Sequence, residues 1–177
     1  MRRDQLEHII RACSQIADDD EIIIIGSQSI LGQHPDAPAE LTMSNEADVF
    51  PRNKPERWDL IDGSIGELSP FHQTFGYYAQ GVEEETAILP DGWRERLIPI
   101  RNPATRGATG WCLEVHDLVI SKYAAGREKD GQFNRAAVTH GLVDYAVLIE
   151  RLDTLAVDSA GRQRIRAAIE ADFAARR

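Results

Sequence analysis

The chain has 177 residues and a formal net charge of −9, with 42% hydrophobic and 28% charged residues. That length suits one domain, or a mixed core with a helical appendage, and the acidic balance argues against a general nucleic-acid-binding protein. Two cysteines without CxxC spacing give no sign of a disulfide framework, and the amphipathic N-terminus lacks the apolar core of a secretory signal, so we expect a cytoplasmic protein without a membrane segment.

The first half of the chain alternates patterns that are typical of helices and strands. Apolar residues recur at helical spacing over residues 3–17, which predicts an amphipathic helix. The next segments predict a strand at 22–25, the first turns of a second helix at 27–31, a strand at 47–50 closed by Pro51, and a helix with Pro55 near its start and Gly63 just past its end. The segments FGYYAQGV and ETAILP predict two strands joined as a hairpin by a turn at Gly81.

The second half of the chain predicts two short strands, in LIPI and WCLEV, and then only helices. The helical segments are 116–126, 129–139, 143–152 and 159–175. The sequence therefore predicts an α+β core over residues 1–115, followed by a C-terminal helical bundle over residues 116–177 that packs on this core.

A Gly-Ser turn and a pair of acids form the first candidate site. Glu46 and Asp48 are two residues apart on a predicted strand, so both carboxylates point to the same side. Two like charges there destabilise each other unless a cation lies between them, which favours a Mg²⁺ site that also binds the oxygens of a nucleoside triphosphate. Gly26 would let the backbone approach those phosphates, and the Ser27 hydroxyl and the helix N-terminus would donate to them. Alternatively, the turn only packs against a neighbouring helix.

The stretch HDLVISKYAAGREKD, residues 116–130, forms the second candidate site. Lys122 has apolar neighbours in the sequence, an uncommon place for a lysine that only aids solubility, and it could bind the triphosphate as a mobile point charge. Arg127 and Lys129 follow at a predicted helix break and could bind phosphate, while Asp130 could cap the next helix. The alternative is a solvated, charged turn without a ligand.

The basic residues of this acidic chain are unevenly distributed. Residues 94–135 contain eight Lys/Arg against five Asp/Glu. Such a segment favours contact with a polyanion, unless the charges are simply scattered over the surface.

Two adjacent tyrosines lie in the predicted strand of FGYYAQGV, which precedes this basic segment. Because side chains alternate along a strand, one of Tyr77 and Tyr78 should face outward. The outward tyrosine would either stack on a base or pack against the protein.

The sequence GSQSILGQ…SNEADVFP resembles the hG[GS]…[DE]h[DE]h signature of the nucleotidyltransferase superfamily, whose fold is polymerase-β-like. The strings IGELSPFHQTFGYYAQGV, LPDGWRERL and HDLVISKYAAGREKD resemble a smaller group of bacterial proteins, similar to the nucleotidyltransferase toxins of the AbiEii type found in toxin–antitoxin pairs. The resemblance implies a mixed β-sheet with flanking helices, NTP and Mg²⁺ as ligands, and transfer of a nucleotide to an acceptor, which in some such toxins is a tRNA 3′ end. The sequence departs from the signature in the long gap between its two halves and in having Glu as the first acid.

The resemblance also implies roles for single residues. Lys122 matches an active-site lysine of the toxin relatives, and Asp144 matches an aspartate near the start of a later helix. Asp144 would orient Lys122 through a salt bridge, or it is only an acid favoured at a helix N-terminus. A third catalytic carboxylate has no clear match, and Glu85 and Glu114 qualify by predicted strand position only.

The sequence therefore predicts a cytoplasmic, Mg²⁺-dependent nucleotidyltransferase. Its predicted catalytic residues are Glu46, Asp48, Lys122 and Asp144, its nucleotide-binding residues are Gly26, Ser27, Lys122, Arg127 and Lys129, and its metal ligands are Glu46 and Asp48. The expected partners are NTP, an RNA acceptor such as tRNA, and a cognate antitoxin protein. The alternatives are an enzyme that nucleotidylates a small molecule, a catalytically degenerate protein that binds a nucleotide or a partner, and an interaction module.

Overall fold

The computed structural model describes residues 1–176. Its contacts divide the chain into two compact units. The first unit consists of Met1–Thr86 and Leu97–Leu113, and the second consists of Ala87–Arg96 with the residues from Glu114 onward. The two domains expected from the sequence stay a prediction, and the compact units differ from them mainly in the segment Ala87–Arg96.

The first unit is built on a five-stranded mixed sheet. Its strands are β1 (Glu21–Ile24), β2 (Glu46–Pro51), β3 (Tyr78–Gly81), β4 (Ile98–Ile100) and β5 (Thr109–Cys112), in the order β3-β2-β1-β5-β4. The pairs β1/β2 and β4/β5 are antiparallel, whereas β1/β5 and β2/β3 are parallel. The prediction of an α+β fold with a mixed sheet and flanking helices is confirmed.

Apolar side chains explain why β1 lies at the centre of this sheet. Ile22, Ile23 and Ile24 are fully buried, and a strand covered on both faces needs such an unbroken apolar run. The helix α1 (Arg3–Ala17) packs on the sheet, and the helix predicted for residues 3–17 is confirmed. Its fully buried side chains are Leu6, Ile9, Ile10, Cys13 and Ala17. Burial of each large aliphatic side chain contributes about 1.5–3 kcal/mol, so this apolar face stabilises the packing of α1 on the sheet.

Two short helices, α2 (Trp58–Ile65) and α3 (Pro70–Phe75), lie between β2 and β3 in the chain. The predicted end of α2 just before Gly63 is wrong because the helix continues through Gly63 and buries Ile65, which outweighs a glycine penalty of about 1 kcal/mol. The helix α3 was not predicted from the sequence. Its start is nevertheless marked, because Ser69 accepts a hydrogen bond from the His72 N–H at 3.1 Å and a proline occupies the first helical position.

The predicted hairpin of FGYYAQGV and ETAILP is wrong. The first segment forms β3, but β3 pairs in parallel with β2 and the chain then leaves the sheet. Residues Glu84–Thr86 form a short 3₁₀ helix instead of a strand. A Cβ at Gly81 would lie 2.0 Å from the carbonyl oxygen of Trp58, so this glycine lets α2 pack closely on β3 and does not serve a hairpin turn.

The second unit contains the helices α4 (Val115–Ala125), α5 (Glu128–Thr139), α6 (Tyr145–Asp153) and α7 (Ser159–Ala175). The four helices predicted in this region are confirmed, and the start of α6 is shifted by two residues. Acidic side chains cap α4, α6 and α7 by accepting backbone N–H groups of the first turn, and each such cap contributes about 1 kcal/mol. The capping residues are Glu114, Asp144 and Asp158.

A buried carboxylate joins the separate segment Ala87–Arg96 to these helices. Asp117 of α4 is fully buried, and it accepts hydrogen bonds from Nε and Nη2 of Arg96 at 2.8 and 3.1 Å. Nε of Arg151 in α6 lies 3.1 Å from the same carboxylate. Because two guanidinium groups share one buried acid, loss of either arginine would leave charge poorly compensated inside the unit.

Candidate active site

Strand β2 presents two carboxylates on one face. Ala47 and Val49 are fully buried, whereas Glu46 and Asp48 are partly exposed. This alternation follows the two-residue period of a strand. The structure therefore places Glu46 and Asp48 together on the accessible side of β2, where the ExD spacing predicts them.

The Gly-Ser turn that follows β1 lies directly against this pair. The backbone N–H of Ile25 donates to the carbonyl oxygen of Asp48 at 3.0 Å. A Cβ at Gly26 would lie only 1.7 Å from Oδ2 of Asp48. Gly26 has φ −84° and ψ −172°, an extended conformation that any residue adopts, so the position needs glycine for space and not for backbone freedom. With any residue larger than glycine at position 26, the turn could not lie this close to the Asp48 carboxylate.

The segment after this turn is a short 3₁₀ helix, Ser27–Gly32, and not the start of the predicted second helix. It ends where Gly32 packs against β5, since a Cβ there would lie 2.7 Å from the Cβ of Cys112. The α-helix N-terminus that was predicted to donate to phosphates is therefore wrong, and the N–H groups at this point belong to a 3₁₀ helix of six residues. Ser27 is partly exposed at its start. Ser29 is fully buried, and its Oγ has no hydrogen-bond partner within residues 1–176.

A tyrosine that the sequence analysis did not connect with this site contacts the carboxylate pair. The Tyr78 hydroxyl donates to Oε2 of Glu46 at 2.8 Å, and burial together with the adjacent Glu46 carboxylate raises the pKa of Tyr78. Tyr77 and Tyr78 are 8% and 9% exposed, so both pack inside the unit and the outward base-stacking role is wrong. The parallel β2/β3 register, which places Tyr78 opposite Glu46, could not be read from the sequence alone.

In the second unit, Lys122 belongs to a buried cluster of charges. It lies in the last turn of α4 with its side chain 12% exposed, and its Nζ donates to Oδ1 of Asp130 at 2.9 Å. The same Nζ lies 4.7 Å from the centre of the Phe133 ring, within reach of a cation–π contact. For Lys122, a solvated charged turn is therefore the wrong interpretation.

The partner of Lys122 is a fully buried carboxylate that also binds an arginine. Nε of Arg127 donates to Oδ2 of Asp130 at 2.7 Å, while the Arg127 side chain stays 63% exposed. Burial alone would raise the pKa of Asp130, but the hydrogen bonds from Arg127 and Lys122 outweigh it and hold that pKa below its usual value. Asp130 does not cap α5, because the capping position is Arg127 and Asp130 lies inside the first turn. Lys129, also in this turn, is exposed.

Asp144 has the second of the two roles considered for it. Its side chain accepts hydrogen bonds from the N–H groups of Ala146 and Val147 at 2.8 and 3.3 Å, which makes it the cap of α6. Its own N–H donates to Nε2 of His116 at 3.0 Å. The predicted salt bridge from Asp144 to Lys122 is therefore wrong, because the acid bound to Lys122 is Asp130.

Neither candidate for a third catalytic carboxylate lies on a strand. Glu85 falls in the 3₁₀ helix Glu84–Thr86. Glu114 caps α4, and its Oε1 lies 2.7 Å from Nδ1 of His116. Burial alone would raise the pKa of Glu114, but the contacts with His116 lower it. Both acids were predicted to lie on strands, and that prediction is wrong.

The donor set of the first unit fits a hard divalent cation. Two carboxylates that share one face are the oxygen ligands that Mg²⁺ prefers, and a Cβ at Gly26 would fill the space beside one of them. Within residues 1–176 no group of three or more His, Cys, Asp or Glu side chains could hold a metal. A cation at Glu46 and Asp48 would therefore need further oxygens from water or from a bound nucleotide, which is the usual way in which Mg²⁺ binds together with phosphates.

A Gly-Ser turn after a central strand, set against a carboxylate pair on the adjacent antiparallel strand, is the arrangement expected from the sequence resemblance to nucleotidyltransferases. The chain belongs to the family described as nucleotidyltransferase of unknown function (DUF6036), whose model matches residues 4–174. This membership confirms the predicted superfamily. No curated protein and no solved structure gave a match. Among the described residues, no helix is both long and apolar enough to cross a membrane.

Proposed function

We propose that this protein is a Mg²⁺-dependent enzyme that transfers a nucleotide from an NTP to an acceptor. The observation that supports this most strongly is the close approach of Gly26 to the Asp48 carboxylate, which joins the Gly-Ser turn to the carboxylate pair. A nucleotide site needs phosphate donors and cation ligands in one place, and a turn that served only packing would not need a carboxylate against it.

In this proposal the carboxylate pair holds the cation and the turn receives the phosphates. Glu46 and Asp48 would be the metal ligands, and bound Mg²⁺ would neutralise negative charge on the triphosphate. Ser27 would donate its hydroxyl to a phosphate oxygen, and Gly26 keeps the space beside Asp48 open. Because two carboxylates repel an anionic triphosphate, binding of NTP should depend strictly on the divalent cation.

The second unit has cationic side chains for which phosphate contacts are proposed. A phosphate-binding role of Lys122, Arg127 and Lys129 stays a prediction from the sequence. The catalytic role of Asp144 also stays a prediction, and its contacts make it a helix cap in the structure. A cytoplasmic location stays a prediction as well.

We infer that the acceptor is RNA, such as a tRNA 3′ end, and that the protein is a toxin of the AbiEii kind with a cognate antitoxin. The basic segment 94–135 supports an RNA acceptor. Arg96 is unsuited to this contact because it binds the buried Asp117. Arg101 and Arg106 are exposed in the loop between β4 and β5, so they are the better candidates for phosphate contacts.

A second candidate function is a degenerate protein that binds a nucleotide without turnover. The observation that favours it is Glu114, whose carboxylate caps α4 and bonds His116 and so is not placed as a base for an acceptor hydroxyl.

The test is transfer of radiolabelled NTPs to total cellular RNA at several salt concentrations. We expect the wild type to label RNA, with a rate that falls steeply as salt rises. The double variant Arg101→Gln/Arg106→Gln should flatten the salt slope by about one to two units without changing NTP affinity. Arg164→Gln, which changes an exposed arginine of α7 outside the basic segment, is the matched control and should keep the wild-type slope.

Each other result changes a different part of the proposal. Label that enters only added small molecules would replace RNA by a small-molecule acceptor. Binding of NTP without any labelled product would favour the degenerate protein. Transfer at the wild-type rate by the double variant Glu46→Gln/Asp48→Asn would overturn the proposed active site.

A further inference from the structure

A buried tyrosine holds one member of the carboxylate pair. Tyr78 of β3 lies opposite Glu46 in the parallel β2/β3 register, and its hydroxyl donates to Oε2 of Glu46 at 2.8 Å. Only 9% of Tyr78 is exposed. A hydrogen bond shielded from water in this way is stronger than an exposed one, so it can fix the orientation of the Glu46 carboxylate.

Both ends of this hydrogen bond are themselves held in place. The backbone N–H of Glu46 donates to Oγ of Ser44 at 3.0 Å, and the N–H of Tyr78 donates to the carbonyl oxygen of Asn45 at 2.9 Å. The His72 ring of α3 lies beside the Tyr78 ring, with centroids 4.5 Å apart. Neither the strand nor the tyrosine ring can move far without losing these contacts, so the hydroxyl is a fixed donor.

The chemical nature of the donor matters for a cation site. An arginine or lysine bound to Glu46 would neutralise its charge and compete with a metal ion. A tyrosine hydroxyl is neutral, so it fixes one carboxylate oxygen and leaves the negative charge of Glu46 in place. In metal sites, hydrogen-bond donors behind a ligating carboxylate act in this way, and they tune affinity without touching the metal.

We propose that Tyr78 is a positioning residue of the Glu46–Asp48 cation site. It holds Oε2 of Glu46 and thereby leaves Oε1, together with the Asp48 carboxylate, to bind the divalent cation. This inference rests on the proposed function because it assumes that the pair binds a metal ion, and it adds a residue on a third element of the unit, β3.

The test is the variant Tyr78→Phe, which removes the hydroxyl and keeps the ring against His72. Binding of Mn²⁺ as a probe for Mg²⁺ is measured by electron paramagnetic resonance, and binding of Mg²⁺ with a non-hydrolysable NTP analogue is measured by calorimetry. We expect the affinity for the cation to fall by about 10- to 100-fold. At saturating Mg²⁺, both the affinity for the NTP analogue and kcat should return close to the wild-type values.

Tyr77→Phe is the matched control. Tyr77 is the preceding residue, it is 8% exposed, and its hydroxyl lies 2.7 Å from Nδ1 of His8, away from the carboxylate pair. This variant also loses one largely buried hydrogen bond of a tyrosine, so its Tm should fall about as much as that of Tyr78→Phe. Its affinity for Mn²⁺ should stay at the wild-type value.

The variant Asp48→Asn, measured in parallel, separates failure of this inference from failure of the proposed function. If Asp48→Asn loses Mn²⁺ binding while Tyr78→Phe retains the wild-type affinity, the positioning role is overturned and the metal site stands. If Asp48→Asn binds Mn²⁺ like the wild type, the metal site is overturned and the inference with it. If Tyr77→Phe weakens Mn²⁺ binding as much as Tyr78→Phe does, general loosening of the unit accounts for the effect and the positioning role is also overturned.

Discussion

The two units of this chain hold their acidic side chains in opposite ways. In the first unit, Glu46 and Asp48 lie side by side on β2, and the side-chain hydrogen bond to Glu46 comes from a neutral tyrosine. In the second unit, Asp117 and Asp130 are fully buried, and each contacts two cationic side chains. These cations are Arg96 and Arg151 for Asp117, and Lys122 and Arg127 for Asp130.

This difference separates acids that stabilise the fold from acids that serve a ligand. Each buried carboxylate is paired with two cations, and together these pairs connect the turn before β4 with three helices. A like-charge pair on an accessible face destabilises the protein until a cation binds. We therefore expect substitutions in the second unit to change stability first, and substitutions at the carboxylate pair to change ligand binding first.

The largest effect on stability is expected for Asp130→Asn. This change removes the charge that compensates Lys122 and Arg127, so the free energy of unfolding at pH 7 should fall by about 3–5 kcal/mol. Denaturant unfolding of wild type and variant measures it. The control is Asp153→Asn, which breaks an exposed ion pair to Arg166 at 3.4 Å and should change stability by less than about 1 kcal/mol. Equal effects of the two changes would contradict a structural role for Asp130.

The stability effect of Asp130→Asn is expected to depend on pH. Because the pKa of Asp130 is lowered in the folded state, the unfolded state takes up the proton more readily as pH falls. The contribution of Asp130 is therefore fully present above its unfolded pKa of about 3.9, and it is lost as pH falls through the lower folded pKa. The stability difference between wild type and Asp130→Asn should shrink below about pH 4. A difference that stays constant down to pH 2 would contradict this account.

A somewhat smaller effect is expected for Lys122→Met, and this effect concerns catalytic activity. If Lys122 acts on the triphosphate as predicted, the change should remove about 2–4 kcal/mol of transition-state stabilisation. Asp130→Asn breaks the same ion pair but keeps the lysine charge, so its kcat/KM should fall less at a temperature where both variants are folded. Activity of Lys122→Met within about threefold of wild type would assign the lysine to packing and the buried ion pair only.

At the carboxylate pair, Gly26→Ala is expected to weaken Mg²⁺-dependent binding of NTP by about 10- to 100-fold. The added Cβ would lie 1.7 Å from Oδ2 of Asp48, so the carboxylate must move away from the turn. The matched control is Gly63→Ala in α2, where a Cβ would meet no atom within 4 Å. Gly63→Ala should leave NTP binding intact and raise the free energy of unfolding by up to about 1 kcal/mol. If Gly26→Ala binds NTP like the wild type, the position of the Asp48 carboxylate does not matter for binding.

Much of the fold could be predicted from the sequence because it depends on local patterns. Helical spacing of apolar residues located α1 and the four helices of the second unit, and the isoleucine run located β1. The hairpin prediction failed because strand pairing depends on distant contacts. Gly81 marks the place where α2 passes over β3 at the Trp58 carbonyl, and no local pattern distinguishes such a glycine from one in a turn.

The candidate site also contains features that local sequence patterns predict and features that they do not. Glu46 and Asp48 could be placed on one face because the spacing of two residues on a strand is sufficient, and Gly26 because small residues after a buried strand indicate a close approach. The hydrogen bond from Tyr78 depends on the register between β2 and β3, and the pairing of Lys122 with Asp130 depends on how α4 and α5 pack. Both lie beyond what spacing along the chain can specify.

The most direct test of the central claim is calorimetric titration of wild type and Asp48→Asn with a non-hydrolysable NTP analogue, with and without Mg²⁺. We expect the wild type to bind only when Mg²⁺ is present and Asp48→Asn not to bind in either condition. The variant should unfold at the wild-type temperature or slightly above it, because the repulsion between two carboxylates is relieved. Asp59→Asn, which changes an exposed acid of the same unit, should bind like the wild type. Equal, Mg²⁺-dependent binding by wild type and Asp48→Asn would contradict the account.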